Sequence, residues 1–127
     1  MTSTAVVDAS ALAAIAFGEP LAPELARRLA NRNLVAPELL VYELLNIGIK
    51  KLRAHPNQRP LIVGALERVL GDGFAIYWSH VQPLAALELA ERTGLTAYDA
   101  SYLWLSQHLG AELVTLDAEL DAAARKP

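Results

Sequence analysis

The chain has 127 residues, no cysteine, 54% hydrophobic residues and a net charge of −3. That length supports one domain around one enclosed core, and the missing cysteines exclude disulfides, thiolate zinc sites and cysteine nucleophiles. The mild negative charge excludes a global basic field, so any nucleic-acid site must be a local basic patch. In chain order, Ala5–Val7 is a short β-branched run ending at Asp8, which predicts a buried strand. Ala9–Phe17 reads as a helix stopped by Gly18 and Pro20, and Pro23–Ala30 as a second with proline in its first turn. Leu34–Ala36 predicts strand two before Pro37. A long helix follows from Glu38 to about Arg53, then a proline-containing loop over His55–Pro60 and a helix ending near Gly71 and Gly73. Phe74–Tyr77 is the third strand. Helices over Pro83–Arg92 and Ala97–Leu109 are split by Thr93-Gly94, Leu113–Thr115 is the fourth strand, and Ala118–Ala124 a last helix.

Strands separated by helices predict an α/β fold with a parallel sheet covered on both faces. Sites in such sheets form beyond the carboxyl ends of the strands, where Asp8 and Asp117 fall. No repeat or linker interrupts residues 1–127. Neither a basic n-region nor a signal-like apolar stretch opens the sequence. The run Ala11–Phe17 is far short of the roughly 20 residues that span a bilayer. The expectation is therefore a cytoplasmic protein with no membrane association. The apolar share is large for this size and implies a subunit or partner interface.

Four acids stand out. Asp8 closes strand one and precedes Ala9-Ser10; it suits a helix N-cap and equally a metal ligand at the sheet edge, with the Ser10 hydroxyl in support. Glu43 lies in the greasy stretch Leu39-Leu40-Val41-Tyr42-Glu43-Leu44-Leu45-Asn46-Ile47. Asn46 and Lys50 share its face at three and seven residues on. That thin polar stripe is either a solvated face or a lined cleft in which Glu43 binds metal, Asn46 orients ligands or water, and Lys50 meets a phosphate. Asp99 follows Thr96 at capping-box spacing, a role compatible with metal binding from the first helical turn. Asp117 follows Leu113-Val114-Thr115-Leu116 and caps the last helix or serves as a fourth ligand, with the Thr115 hydroxyl positioning it. Glu119 and Asp121 nearby are expected to be solvated, although Glu119 competes for that role. Four gathered carboxylates repel one another unless a cation neutralises them. If the fold brings them together, a divalent metal and phosphoryl chemistry are the reason.

Other chemistries fit less well. His55, His80 and His108 lack zinc-site spacing, and no GxSxG elbow, P-loop or GxGxxG is present. A receiver domain needs a lysine after a late strand, and a haloacid-dehalogenase-type phosphatase a second Asp where Ser10 stands; both are absent. The densest basic stretch is Lys50-Lys51-Leu52-Arg53-Ala54-His55 with Arg59, so Lys50, Lys51 and Arg53 are the candidate contacts for a phosphate backbone. Arg27, Arg28 and Arg32 form a weaker second group. Trp78, Tyr98, Tyr102 and Trp104 read as core or interface residues rather than base-stacking platforms.

The segments VVDASAL, PELLVYELLNIGIK, LTAYDASYLWLS and LVTLDAEL resemble, in order and over residues 5 to 120, the four motif regions of PIN domains. They are most similar to the small VapC toxins of bacterial toxin–antitoxin pairs. Each motif alone is unspecific; the ordered set is not. The resemblance implies a single PIN domain over residues 1–127: a three-layer α/β/α sandwich around a four-stranded parallel sheet. It also implies a metal-dependent ribonuclease in which Asp8, Glu43, Asp99 and Asp117 form the acidic quartet on Mg²⁺ or Mn²⁺. Ser10, Asn46 and Thr115 match the family's supporting positions. The implied partners are an RNA substrate and a small cognate antitoxin that blocks the site. The implied assembly is a homodimer able to enter a larger toxin–antitoxin complex. Members often add a last short strand after the final helix; Arg125-Lys126-Pro127 offers no such run, which leaves a fifth strand in doubt. The competing reading is a PIN-like module without catalysis that acts through a protein partner.

Overall fold

The computed structural model describes residues 3–71 and 74–126. Its sheet contains β1 (Thr4–Val7), β2 (Asn33–Ala36), β3 (Ile76–Trp78) and β4 (Glu112–Val114), all parallel, in the order β3-β2-β1-β4. The helices are α1 (Ala9–Ala16), α2 (Ala22–Leu29), α3 (Leu39–Ala54), α4 (Arg59–Leu70), α5 (Pro83–Thr93), α6 (Ala97–Leu109) and α7 (Ala118–Arg125).

The strand order dictates the layers. The chain steps from β1 to β2 to β3 in one direction and then returns across the sheet to β4. Right-handed crossovers place α1 to α4 on one face and α5 and α6 on the other. The packing agrees: α1 lies against α2, α3 and α4, whereas α5 packs on α6, and α6 on β1, β4 and α7. This is the α/β/α sandwich expected from the sequence. The order reverses between β1 and β4, so the crevice beyond their carboxyl ends is where a site belongs.

β1 is central and Ala5, Val6 and Val7 are fully buried. Leu12 of α1, Leu40 and Leu44 of α3, and Leu103 and Leu105 of α6 close over the sheet. Each such side chain contributes about 1.5–3 kcal/mol relative to an exposed one. Gly48 of α3 sits against α4 so closely that an added Cβ would lie 2.6 Å from Leu66 Cδ1. Gly94 ends α5 at φ 78°, the left-handed cap that separates α5 from α6.

Several boundaries differ from expectation for physical reasons. β3 runs Ile76–Trp78 rather than Phe74–Tyr77, because its register is set by pairing Ile76 with Leu34 and Trp78 with Ala36 on its one neighbouring strand. β4 is Glu112–Val114 rather than Leu113–Thr115: Ala5 pairs with Glu112, and Thr115 leaves the ladder to bond with Asp8. The region His55–Pro60 is no simple loop. Pro56–Gln58 forms a 3₁₀ turn, and α4 begins at Arg59 because a proline in the first helical turn forfeits no hydrogen bond. The expected helix stop at Gly73 lies outside the described residues. Among the described residues the sheet has four strands and no fifth. The aromatic residues divide: Tyr102 is 1% exposed, but Trp78 and Tyr98 are 45% and 66% exposed and do not belong to the core.

Candidate active site

A cleft of about 230 Å³ opens at the β1/β4 end of the sheet, lined by Asp8, Ser10, Glu43, Asn46, Asp99, Tyr102 and Asp117 among others. The four acids reach it from four elements. Asp8 follows β1, Glu43 is on α3, Asp99 is in the first turn of α6, and Asp117 precedes α7. Capping and convergence coexist. Asp8 Oδ1 accepts from Ala11 N at 3.1 Å, and Asp117 Oδ1 accepts from Leu120 N at 2.9 Å. Thr96 Oγ1 accepts from Asp99 N at 3.1 Å, half of the expected capping box.

Two hydroxyls join the ends of β1 and β4. Ser10 Oγ donates to Asp8 Oδ1 at 2.7 Å and accepts from Leu116 N at 2.9 Å. Thr115 Oγ1 donates to Asp8 Oδ2 at 2.5 Å and accepts from Asp117 N at 3.0 Å. Both oxygens of Asp8, which is 5% exposed, are thereby oriented, and the turn that carries Asp117 is tied to them. Thr115 therefore serves Asp8 and the Asp117 backbone, rather than the Asp117 carboxylate.

On the other wall Tyr102 Oη donates to Glu43 Oε1 at 2.5 Å. Sequence reasoning left Tyr102 in the core, and its ring is there, but its hydroxyl belongs to the site. The available signal was helical spacing: Tyr102 is three residues after Asp99 and shares its face of α6.

The electrostatics follow from burial and like charge. Burial pushes the Asp8 carboxyl above its ordinary range; Thr115, Ser10 and the Ala11 amide oppose this, and Asp117 adds to it. Glu43 is raised by burial, with the Tyr102 hydroxyl opposing and Asp8 and Asp99 adding repulsion. Asp99 is raised by burial and by Asp117, Asp8 and Glu119. The Tyr102 phenol is raised as well, by burial and by its place beside Glu43, and so remains a donor. Among the cleft's described lining residues there is no lysine or arginine to balance these acids.

The donor set, carboxylate oxygens with a side-chain amide beside them, fits a hard divalent cation. It is an open arrangement: among the described residues, no three acidic, imidazole or thiol side chains are gathered so that they could hold an ion by themselves. Mg²⁺ tolerates that, because it keeps several waters and binds through one or two carboxylates.

The remaining candidates lie elsewhere. Lys50, Lys51 and Arg53 do not line the acidic cleft. Lys51 Nζ sits 4.6 Å from the centroid of the Phe17 ring in a second cleft. Arg28 and Arg32 both pair with Glu112, and Arg32 also donates to the Thr4 carbonyl at 3.1 Å. They clamp the amino-terminal edge of the sheet, away from the acids. Glu119 faces a different cleft with Arg92 and Lys126, though it is near enough to repel Asp99.

A model of the PIN-domain family matches residues 5–126. The chain belongs to the PIN-domain family. A VapC protein of Pyrobaculum aerophilum, named Ribonuclease VapC3, is 32% identical over 118 residues, covering 91% of this PIN chain and 90% of that protein. The crystal structure of PAE2754 from Pyrobaculum aerophilum superposes with a TM-score of 0.76 at 31% identity, over 98% of this chain and 89% of that one. The Mycobacterium tuberculosis toxin VapC20, described as cleaving the sarcin–ricin loop, shares the PIN fold with a TM-score of 0.67. Its identity is 17%, over 97% of this chain and 99% of that one. Among the described residues no helix is long and apolar enough to cross a membrane.

Proposed function

We propose that this chain is a single-domain, metal-dependent endoribonuclease of the VapC type, the toxin of a cytoplasmic toxin–antitoxin pair. The observation that carries the proposal is the convergence of Asp8, Glu43, Asp99 and Asp117 on one cleft at the β1/β4 switch point. The similarity to Ribonuclease VapC3 across nearly the whole chain supports the same reading.

In this reading Asp8, Glu43 and Asp99 hold Mg²⁺ or Mn²⁺, and Asp117 assists directly or through water. The bound ion supplies an acidified water at neutral pH and countercharge for the scissile phosphate. Ser10 and Thr115 fix both oxygens of Asp8 in advance, which removes the rotamer entropy that binding otherwise costs. Tyr102 does the same for Glu43. Asn46, exposed at the mouth of the cleft, orients a water or a phosphate oxygen. Without a cation the four acids repel the RNA, so cleavage depends on the ion almost completely.

The antitoxin and the homodimer are part of the proposal. Tyr42, Leu45 and Ile49 of α3 are exposed apolar residues, and Leu45, Ile49, Leu52, Leu66 and Leu70 line a groove of about 660 Å³ between α3 and α4. Apolar surface of this kind on a small domain fits a protein partner.

Incubating antitoxin-free protein with a structured RNA pool in Mg²⁺, Mn²⁺ or EDTA tests the function. Cleavage in either metal and none in EDTA is expected. Folded, metal-loaded protein that cuts no RNA leaves the binding-module reading in its place.

A further inference from the structure

The acidic cleft has a neighbour on the same two helices. It takes Ala9 and Ser10 from α1 and Ile47 from α3. A second cleft, of about 370 Å³, takes Ala16 of α1 with Phe17, its C-cap, and Lys51 of α3 with His55, its C-cap, together with Arg68 from α4. Residues seven apart on a helix share a face two turns along, and residues four apart share it one turn along. Ala9 with Ala16 on α1, and Ile47 with Lys51 on α3, therefore set the two clefts end to end along one α1/α3 groove. Seven residues at about 1.5 Å each separate them by about 10 Å.

Their charges are opposite. The second cleft presents Lys51, Arg68 and His55, with the Gln58 amide, and no carboxylate among its described lining residues, in a chain of net charge −3. Lys51 is held in place: its Nζ lies 4.6 Å from the Phe17 ring centroid, a cation–π contact that orders the side chain while leaving its N–H donors free. Arg68 lies over Gly64, with Nη1 3.6 Å from where a Cβ would be, so the missing side chain leaves the guanidinium room.

We propose that this cleft is a phosphate subsite for the RNA strand whose scissile bond lies at the acidic cleft. The proposal rests on the nuclease reading above. A strand entering an acidic site on a negatively charged protein needs a local cationic hold, and the lysine and arginine side chains on the same groove supply one. A stacked strand rises about 3.4 Å per nucleotide, so the phosphate held here is about three nucleotides or fewer from the cut. The contact set is Lys51 and Arg68, with His55 at its edge. Of the basic run of the sequence it takes Lys51; Lys50 and Arg53 line neither cleft.

The test measures cleavage kinetics on a single-stranded oligonucleotide. Lys51→Met, which keeps the apolar stem over Phe17, and Arg68→Met are compared with Arg92→Met, which removes an exposed cation that lines neither cleft. Melting curves check folding. The expected result is KM raised about five- to tenfold in each cleft variant with kcat unchanged. The slope of log affinity against log salt should fall by about 0.7 per lost contact. In parallel, one neutral methylphosphonate is walked along the substrate. A single position within about three nucleotides of the cut should weaken the intact protein and cost nothing further in the two variants, the non-additivity of a shared contact. Intact kinetics in both variants, equal loss in Arg92→Met, or a methylphosphonate effect that is the same at every position overturns the subsite while leaving the nuclease reading standing. In that case the cleft suits an acidic side chain of a protein partner. Failure of the intact protein to cut RNA in any metal overturns both.

Discussion

Replacing Tyr102 by phenylalanine removes one oxygen and leaves the ring. The lost contact is the 2.5 Å hydrogen bond to Glu43 Oε1. A hydrogen bond to a charged acceptor contributes about 1.5–3 kcal/mol when enclosed. Glu43 is only half-buried, and water replaces part of the loss, so about 1 kcal/mol is the reasonable net figure. Without the donor the glutamate is freer to rotate and holds its proton more tightly, since the hydroxyl is the one contact that opposes burial and repulsion there. Both effects weaken metal binding. The expected outcome is an approximately fivefold rise in the Mg²⁺ concentration for half-maximal cleavage, the equivalent of about 1 kcal/mol. At saturating Mg²⁺ kcat should be nearly normal, and the acid limb of the pH–rate profile should move to higher pH. A fluorogenic RNA titrated with Mg²⁺ at several pH values reads all three. An unchanged Mg²⁺ requirement would refute the positioning role. A loss as complete as that of Glu43→Gln at every Mg²⁺ concentration would show instead that Tyr102 acts on the reacting groups.

Thr115→Val removes a donor to Asp8 and strands the Asp117 amide at nearly constant shape; a stability loss of about 1–2 kcal/mol is expected in urea unfolding, together with reduced cleavage. Metal-free protein should gain stability on mild acidification. The folded pKa values of Asp8, Glu43 and Asp99 are raised, so the native state binds more protons than the unfolded chain between the ordinary and raised values. Stability from this source is present below the ordinary carboxylate range and is lost as pH rises through the raised values. Melting temperatures measured without metal should therefore fall as pH rises above the ordinary carboxylate range, and saturating Mg²⁺ should flatten the trend. Glu112→Gln breaks the pairs with Arg28 and Arg32 at the far edge of the sheet; melting should show a cost below about 1 kcal/mol, and cleavage rates should not change.

How far the sequence discloses the molecule depends on whether the signal is local. Short apolar runs ending at Asp8, Pro37 and Thr115, with helices between, are enough to draw the parallel sheet, because each strand's burial is written in its own residues. The acids were legible for a similar reason: Glu43 on an apolar helix, and Asp8 and Asp117 at strand ends, are conspicuous one at a time. The bonds between them were not. Ser10 is two residues from Asp8, but Thr115 lies 107 residues on, and only the β1/β4 pairing brings its hydroxyl onto the same carboxylate. Tyr102 looks like any core aromatic until the fold brings its hydroxyl to Glu43 on a helix of the opposite layer. Nor does the basic run show which of its members share a cleft, because adjacent helical residues face different ways. Lys51 turns into a cleft and Lys50 does not, while Arg68, distant in sequence, joins it from α4. Arg28 and Arg32 looked free for RNA only because their partner Glu112 lies eighty residues on.

Cleavage of RNA by the Asp99→Asn variant, beside the intact protein in saturating Mg²⁺, tests the central claim most directly. The substitution keeps the shape of the side chain and the backbone bond from Asp99 N to Thr96, so the fold should survive. With one carboxylate of the cleft neutralised, cleavage should fall by a factor on the order of 10² or more, as when a group that stabilises transition-state charge is removed. Full metal-dependent cleavage by folded Asp99→Asn protein would contradict the assignment of this cleft as the nuclease centre.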